Sequence, residues 1–392
     1  MAEPWLSIIG LGEDGLAGLS DASRAALDRA EKVFGAPRHL MLAQVGDRGQ
    51  EWPVPFDLAP LLALRGQRVA MLVSGDPFWF GAGGSVAARI PPQDWRAYPV
   101  AGVFSLVAAR MGWRLEEVAC LGLHAAPLSR LRPVLARGSR VISTLRDAAA
   151  VAELAAWLQA EGLQATTVTL CERLGGPAER IRQGTAHADI QAPVAVALDG
   201  AGLPASAGLP RASGLDDALF ASDGQITKRP VRALTLSALA PRPGQVLWDI
   251  GAGSGSISVE WCLAGGHAIC IEAREGRVAN IRANAEAFGL AHRMVAVCGP
   301  APAALDGLTP PDAVFVGGGG DLALHQALWP MLRPGTRLVA NGVTLETESV
   351  LAACHARHGG HLLRVDLAEA APLGGFRGWQ AARPVVQWSV TR

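Results

Sequence analysis

The chain lacks a surplus of charge in either direction: 35 Lys and Arg stand against 35 Asp and Glu. No net field therefore draws it to phosphate backbones or anionic lipid. With no basic cluster either, nucleic acid is not an expected partner. No stretch is long and apolar enough to span a bilayer, so no membrane role is expected. The opening "MAEPWLSIIGLGEDG" has no basic leader, and its short apolar run meets glycine and acids, which reads against a secretory signal. Cysteine is sparse. The six (120, 171, 262, 270, 298, 354) form no CxxC pair and sit mostly in apolar runs, as buried thiols of a reducing compartment do. A cytoplasmic protein is expected.

Metal ligands are lacking as well. In "CHARHGGH", Cys354 and His358 are four apart with His361 just beyond, but no fourth ligand is offered. The segment reads as a helix C-terminus, where His favours the dipole and Gly359 ends the helix. No metal is expected. Lysine is nearly absent too, at Lys32 and Lys228 only. A bound carboxylate will thus usually meet arginine, whose planar fork can grip it bidentately.

What is present is apolar patterning. Half of the 392 residues are apolar and 18% are charged, which predicts two or three globular domains. The front block alternates strands and helices: "WLSIIGLG", "DASRAALDRAEKVFG", "RVAMLVSGDP", then "PVAGVFSLVAARMG". That alternation predicts a parallel sheet. A second alternation begins near residue 117, with "RVISTL", "DAAAVAELAAWLQAEG", "ATTVTLCERLG" and "APVAVALDG", and predicts a second α/β lobe. Residues 200–214, "GAGLPASAGLPRASG", are too small and too glycine-rich to add much core. The expected organisation is a front domain over 1–199, with lobes of about 1–116 and 117–199, a linker at 200–214, and a rear domain over 215–392.

The rear block reads as a doubly wound sheet, with strands at "QVLWDIG", "HAICIEA", "RMVAVCG", "PDAVFVGG" and "TRLVANGV". "HLLRVDLAE" and "RPVVQWSVTR", joined by a glycine-rich connection, predict an antiparallel pair closing the sheet edge. In "DIGAGSG", Gly251, Gly253 and Gly255, with Ala252 and Ser254 between them, let the backbone turn sharply at a helix N-terminus and approach a ligand closely. Glu272 ends the next strand, where a carboxylate can accept both ribose hydroxyls. The third glycine comes one residue too early for the dinucleotide pattern GxGxxG, so a nucleoside without a pyrophosphate fits better than NAD.

These features together resemble class I S-adenosylmethionine methyltransferases over roughly residues 216–392. The resemblance implies S-adenosylmethionine at Gly251–Gly255 and Glu272. Amino-directed members usually follow strand four with an Asn or Asp, two prolines and an aromatic. Here "VGGGGD" stands at 316–321. Gly317 to Gly320 would leave bare backbone and room for a broad, flat acceptor, or else form a mobile loop. Ahead of the glycine loop, "DDALFASDGQITKRPVRA" resembles the lead-in of the decarboxylating precorrin methyltransferases of cobalamin synthesis. There the segment covers the cofactor, which implies a contact at Thr227. "CGPAP" likewise matches the family's adenine-side loop near Ala301.

Four front segments, "IIGLGEDG", "VSGDPFWFG", "PVAGVFSLVAARMG" and "TLCERLGGPAERIRQGT", resemble in order and spacing the tetrapyrrole methylases, a two-lobed fold that binds S-adenosylmethionine between its lobes. The resemblance implies cofactor contacts at Gly75 and Asp76, with Trp79, Ser105 and Leu174 lining the cleft. Two departures stand out. The first loop reads Gly12-Glu13-Asp14-Gly15 without the usual proline, and Ala101 and Phe104 replace a proline and a hydroxyl residue.

The two halves in this order imply a bifunctional C-methyltransferase with two S-adenosylmethionine sites. It would methylate one macrocycle at carbon 5 (front) and carbon 15 (rear) and release carbon dioxide from the ring C acetate. The partner implied is a small-molecule tetrapyrrole, and a homo-oligomer is the expected assembly. An activated methyl and a carbon nucleophile need positioning more than side-chain chemistry, so no obligatory Ser, Cys or His nucleophile is expected. The substrate's carboxylates need cations, for which Lys228, Arg229, Arg232 and Arg377 are the candidates, alongside the bare backbone of Gly317 and Gly318. Two other readings stay open: one active half beside a binding domain, and an RNA methyltransferase.

Overall fold

The computed structural model describes residues 4–318 and 320–392. By internal contacts it divides into two compact units, Met1–Leu128 with Val134–Gly208, and Ser129–Pro133 with Leu209–Arg392. The first unit opens with five strands: β1 (Leu6–Leu11), β2 (Lys32–Gly35), β3 (Gly49–Glu51), β4 (Val69–Ser74) and β5 (Trp95–Tyr98). They form an all-parallel sheet in the order β3-β2-β4-β1-β5. The central strands β1 and β4 are near-continuous apolar runs because both of their faces are covered. The helix Asp21–Arg29 begins where the Ser20 hydroxyl accepts the Ser23 N–H at 3.2 Å, and it turns Ala26 and Leu27 to the sheet.

The same unit continues with β6 (Ala119–Gly122), β7 (Arg140–Leu145), β8 (Thr167–Glu172), β9 (Arg180–Gln183) and β10 (Val194–Asp199), ordered β6-β7-β10-β8-β9. A helix, Ala148–Ala160, joins β7 to β8. Only β6 and β7 pair in parallel, however, and the remaining contacts are antiparallel. The glycine-rich turn after β8 is too short for a crossover, so β9 folds straight back on it. Buried Glu172 ties this hairpin, accepting from Arg180 at 2.7 Å and Arg182 at 2.9 Å.

The second unit carries β11 (Val246–Ile250), β12 (His267–Glu272), β13 (Met294–Cys298), β14 (Ala313–Gly317), β15 (Arg337–Gly342), β16 (His361–Val365), β17 (Ala368–Leu373), β18 (Phe376–Ala381) and β19 (Val385–Thr391). Seven of them form the sheet β13-β12-β11-β14-β15-β19-β16. The first five run parallel, and β19 enters antiparallel between β15 and β16. The glycine-rich connection, which the sequence suggested to be a loop, is itself a hairpin of β17 and β18 that forms a separate two-stranded sheet. Its apolar side chains Leu373, Phe376 and Trp379 are exposed.

One face of the large sheet packs around Leu247, Trp261 and Phe288, the other around Trp248, Leu328 and Trp388. The helix Arg229–Leu239 is fixed to β15 and β19 by a buried polar triangle. Both the Asn341 and Gln387 amides donate to Thr235 Oγ1, at 2.9 and 3.1 Å. The helix Leu345–His358 ends at Gly359, where φ is +71° and the N–H reaches the His355 carbonyl. The His358 ring lies on Trp329, with centroids 3.9 Å apart, and is a packing group.

Candidate active sites

In the second unit the glycine loop follows β11. Gly251, Gly253 and Gly255 all have positive φ, at +70°, +58° and +73°. The reason is visible at Gly251, where an added Cβ would stand 2.1 Å from the Gly317 carbonyl oxygen. The loop after β14 thus lies against the glycine loop, and Gly318 opens onto free space. Ser254 is buried, and among the described residues its Oγ has no partner. At the end of β12 the Glu272 carboxylate accepts from the Gly253 N–H at 2.9 Å and the Arg274 N–H at 3.0 Å. That leaves lone pairs on both oxygens for further donors. The Gly299 N–H reaches the Glu272 carbonyl, which brings the loop carrying Ala301 to the same strand end.

The lead-in covers this loop. Asn284 accepts the Ala221 N–H at 2.8 Å and donates to the Ser254 carbonyl at 2.8 Å, while the Gln225 carbonyl stands 3.2 Å from where a Gly253 Cβ would be. Thr227 follows, half-buried. A positive-φ glycine loop with no room for a Cβ at Gly251, a carboxylate beside it at the strand end and a covering segment suit a nucleoside-bearing cofactor, so the residues fit S-adenosylmethionine. Below the loop Asp249 is fully buried. It accepts from Ser258 Oγ at 2.6 Å, and the Cys270 thiol donates to that hydroxyl in turn at 3.1 Å. Burial pushes the Asp249 carboxyl up to about 6.

The first unit holds a cavity of about 640 Å³ between its two sheets. The loop after β4 lines it with Gly75, Asp76 and Trp79, the helix Val103–Met111 with Phe104 and Ser105, and the segment after β8 with Leu174. Gly75 has φ +60°, and its absent Cβ would fall 2.6 Å from Gly102 Cα, so the loop and the helix start meet backbone to backbone. Asp76 accepts the Phe78 N–H at 2.8 Å, and the Trp79 and Phe104 rings stack at 5.8 Å. Cys171 lines the same space, but burial pushes its thiol up to about 12, which removes it as a nucleophile.

The cations expected at the substrate divide. Lys228 and Arg229 are exposed at the start of the helix Arg229–Leu239, with Lys228 3.7 Å from Asp217. Arg377 is exposed on the β17–β18 hairpin, outside the seven-stranded sheet. Arg232 needs correction. It is wholly buried, donates to Glu260 at 2.6 Å, to Asp217 at 3.0 Å and to the Thr227 carbonyl at 2.5 Å, and also bonds the Leu215 carbonyl. No direction is left from which a substrate carboxylate can reach it. Among the residues of the expected acceptor loop, Gly317 and Gly318 adjoin the glycine loop, and Gly319 lies outside the described residues.

Sequence reasoning also missed a polar cluster at the front cavity, made of Glu13, Arg38, His39 and Ser74. Glu13 appeared only as a departure in the first loop. Arg38 and His39 carry no motif, and their link to Ser74 exists only once β4 is in place.

A cavity beside a glycine turn in one α/β unit and a positive-φ glycine loop beside an acidic strand end in the other are features of a two-domain methyltransferase. Residues 6–188 match the family model for tetrapyrrole (corrin/porphyrin) methylases, and residues 218–392 match the precorrin methyltransferase domain. A Sinorhizobium protein named precorrin-6Y C(5,15)-methyltransferase (decarboxylating) is 45% identical over all of this chain and 97% of its own length. One of the same name from Mycobacterium tuberculosis (strain CDC 1551 / Oshkosh) is 40% identical over 98% of the chain and 99% of its own. The crystal structure of the C-terminal domain of the Rhodobacter capsulatus precorrin-6Y C5,15-methyltransferase is 61% identical, covers 47% of this chain and all of its own, and has a TM-score of 0.46. The chain belongs to the precorrin-6Y C(5,15)-methyltransferase (decarboxylating) family. Both of its domain families imply S-adenosylmethionine as methyl donor.

Proposed function

We propose that this enzyme methylates a precorrin-6Y-type macrocycle at carbons 5 and 15 and removes carbon dioxide from its ring C acetate, with one S-adenosylmethionine site in each unit. The reading assigns carbon 5 to the first unit, and carbon 15 and the decarboxylation to the second. What supports it is a cavity in the first unit lined by Gly75, Asp76, Trp79, Ser105 and Leu174, together with a positive-φ glycine loop, Gly251–Gly255, beside Glu272 in the second. Bound S-adenosylmethionine supplies an activated methyl cation equivalent to a carbon nucleophile.

The chain's own residues bind and position. In the second unit the N–H groups of Gly251, Ala252, Gly253 and Gly255 are spent on holding the loop's own shape, and Glu272, fixed by the Gly253 and Arg274 N–H groups, keeps lone pairs that would serve ribose hydroxyls. Thr227 lies on the covering segment, where closing over the ligand excludes water. Gly317 and Gly318 give a flat acceptor an approach without side-chain obstruction, in the near-attack range of about 3–3.5 Å. Lys228, Arg229 and Arg377 are the exposed cations offered to the substrate's carboxylates. In the first unit Trp79 and Phe104 form an aromatic wall, with Ser105 beside it in the first helical turn. The assembly read here is a homo-oligomer in the cytoplasm, with a tetrapyrrole as its small-molecule partner.

Titration of the full chain with S-adenosylhomocysteine in a calorimeter tests the central claim. Two sites per chain are expected. One site would leave a single transferase joined to a binding domain. Separating the chain within residues 200–214 and assaying each piece for methyl incorporation and carbon dioxide release tests the division of labour, with release expected from the rear piece alone.

A further inference from the structure

Methyl transfer to a neutral conjugated carbon has a proton to dispose of. The incoming methyl takes a π pair of the ring to form the C–C bond, and sulfur keeps the pair of the broken C–S bond. The macrocycle then carries one positive charge more, which it loses as a proton from the acceptor carbon's C–H or from a ring N–H. The groups that line the front cavity narrow the choice of acceptor. The Asp76 carboxylate is held by the Phe78 N–H, and the Cys171 thiol is pushed up by burial. Arg146 is a cation paired with Asp147 and Glu153. Glu13, with a side chain 7% exposed, lies between Arg38 and Arg173, paired with the first and 3.5 Å from the second. The His124 Nδ1 is engaged with Thr144 Oγ1 at 3.2 Å, on an exposed side chain.

His39 differs from all of these. It is 8% exposed, and its Nε2 is 2.9 Å from Ser74 Oγ. The Arg38 guanidinium donates to that nitrogen at 3.1 Å and to Ser74 Oγ at 3.3 Å. Arginine has no lone pair to offer, so Nε2 is the basic nitrogen of the ring and the proton sits on Nδ1, which is buried and has no partner among the described residues. The single Nε2 lone pair is shared between the Arg38 N–H and the nearer Ser74 hydroxyl, which accepts from Arg38 and can turn its own proton toward it. Ser74 is exposed in the cavity next to Gly75 and Asp76, with the buried imidazole behind it. Among the described residues, no carboxylate is bonded to His39. Burial, and then the Arg38 charge, lower its pKa to about 4, so the ring is neutral at neutral pH.

We propose that Ser74 and His39 form a proton relay for methyl transfer in the front cavity: the Ser74 hydroxyl takes the proton released by the methylated macrocycle while passing its own to His39 Nε2. Arg38 orients both groups, and Glu13 and Arg173 fix Arg38. The relay rests on the reading of this cavity as a methyl-transfer site. A weak base suffices, because the methylated ring cation is itself strongly acidic.

The test uses the full chain as wild type, S74A, H39Q and D76A. Single-turnover transfer from isotopically labelled S-adenosylmethionine is followed between pH 5 and 9, with the labelled carbon located by NMR. In H39Q and S74A, front methylation is expected to fall roughly 100-fold or more, through kcat with KM held. Its rate should rise with pH as hydroxide replaces the relay, whereas the wild type stays flat. Donor binding at both sites, rear methylation and carbon dioxide release should persist, which also shows that the variants fold. In histidine-labelled protein, the one imidazole signal missing from H39Q should keep its neutral position down to pH 5. Front methylation within about threefold of wild type in both variants, with an unchanged pH profile, overturns the relay. If D76A abolishes front methylation while H39Q and S74A keep it, the relay alone falls. If D76A keeps both methylations, the cavity reading falls and the relay with it.

Discussion

The Arg232 Nε–H donates to Glu260 Oε1 at 2.6 Å, with both side chains withdrawn from solvent. The same Glu260 accepts the N–H groups of Gly214 and Leu215, at 2.6 and 2.9 Å, so it anchors the start of the lead-in to the helix that follows the glycine loop. Arg232 therefore shapes the rear cleft from below and does not bind in it. Arg232→Ala leaves a buried carboxylate without its cation and is expected to cost about 3–5 kcal/mol of stability. Arg232→Lys should recover little, because an ammonium cannot reproduce four forked contacts. Urea denaturation checks this. In the cold, where the variant remains folded, KM for the macrocycle should stay near wild type, and a selective rise in that KM would return Arg232 to the substrate.

The misreading of Arg232 shows what the sequence did and did not make legible. Positions 232, 235, 236 and 239 recur at helical spacing, and the structure buries all four. The periodicity thus placed Arg232 on the inward face, but nothing local revealed a carboxylate 28 residues further on. The glycine loop was legible because positive φ at Gly251, Gly253 and Gly255 is a local demand that few residues other than glycine meet. The antiparallel order of the β8–β10 region was not, since a strand inserting between two others is a long-range choice that strand-and-helix alternation does not encode. The Ser74–His39 contact was hidden for the same reason, its members lying 35 residues apart.

Gly251→Ala and Gly75→Ala form a matched pair. Each forces a side chain into a positive-φ position, where its Cβ meets backbone, at 2.1 Å from the Gly317 oxygen in one case and 2.6 Å from Gly102 Cα in the other. Strain of about 1–3 kcal/mol is expected in each, together with displacement of the facing loop. Calorimetry with S-adenosylhomocysteine should show G251A losing affinity at one site and G75A at the other. Loss of both sites in either variant would contradict independent clefts.

Glu272→Gln removes a charge while preserving size. The carboxylate holds the Gly253 and Arg274 N–H groups on separate oxygens, and an amide has only one oxygen to offer. One loop N–H then faces an NH2, and any ribose hydroxyl loses a charged acceptor. Hydrogen bonds to charged groups are worth about 1.5–3 kcal/mol, so rear-site affinity should weaken by roughly 10- to 150-fold. The front site should be untouched. Equal weakening of both sites would sink the assignment of Glu272 to the rear cofactor.

Asp249 makes the rear unit sensitive to pH in a direction opposite to most carboxylates. Burial raises its folded pKa to about 6 from an ordinary 3.8, the Glu272 charge adds to the rise, and the Ser258 contacts oppose it. Between those two values the folded chain holds a proton that the unfolded chain has lost. The contribution to stability is therefore greatest below about pH 4, declines as pH rises toward 6, and is flat above. Ionised at pH 7.5, the residue costs on the order of 3 kcal/mol. Asp249→Asn keeps an acceptor for Ser258 but cannot ionise, and its NH2 falls where Asp249 Oδ1 has no partner among the described residues. That mismatch adds a constant cost at every pH, so the diagnostic quantity is the slope. Urea midpoints measured from pH 4.5 to 8 should show the variant gaining on wild type as pH rises to about 7, then running parallel to it. Parallel curves throughout would mean that Asp249 does not titrate in this range and that solvent reaches the base of the glycine loop.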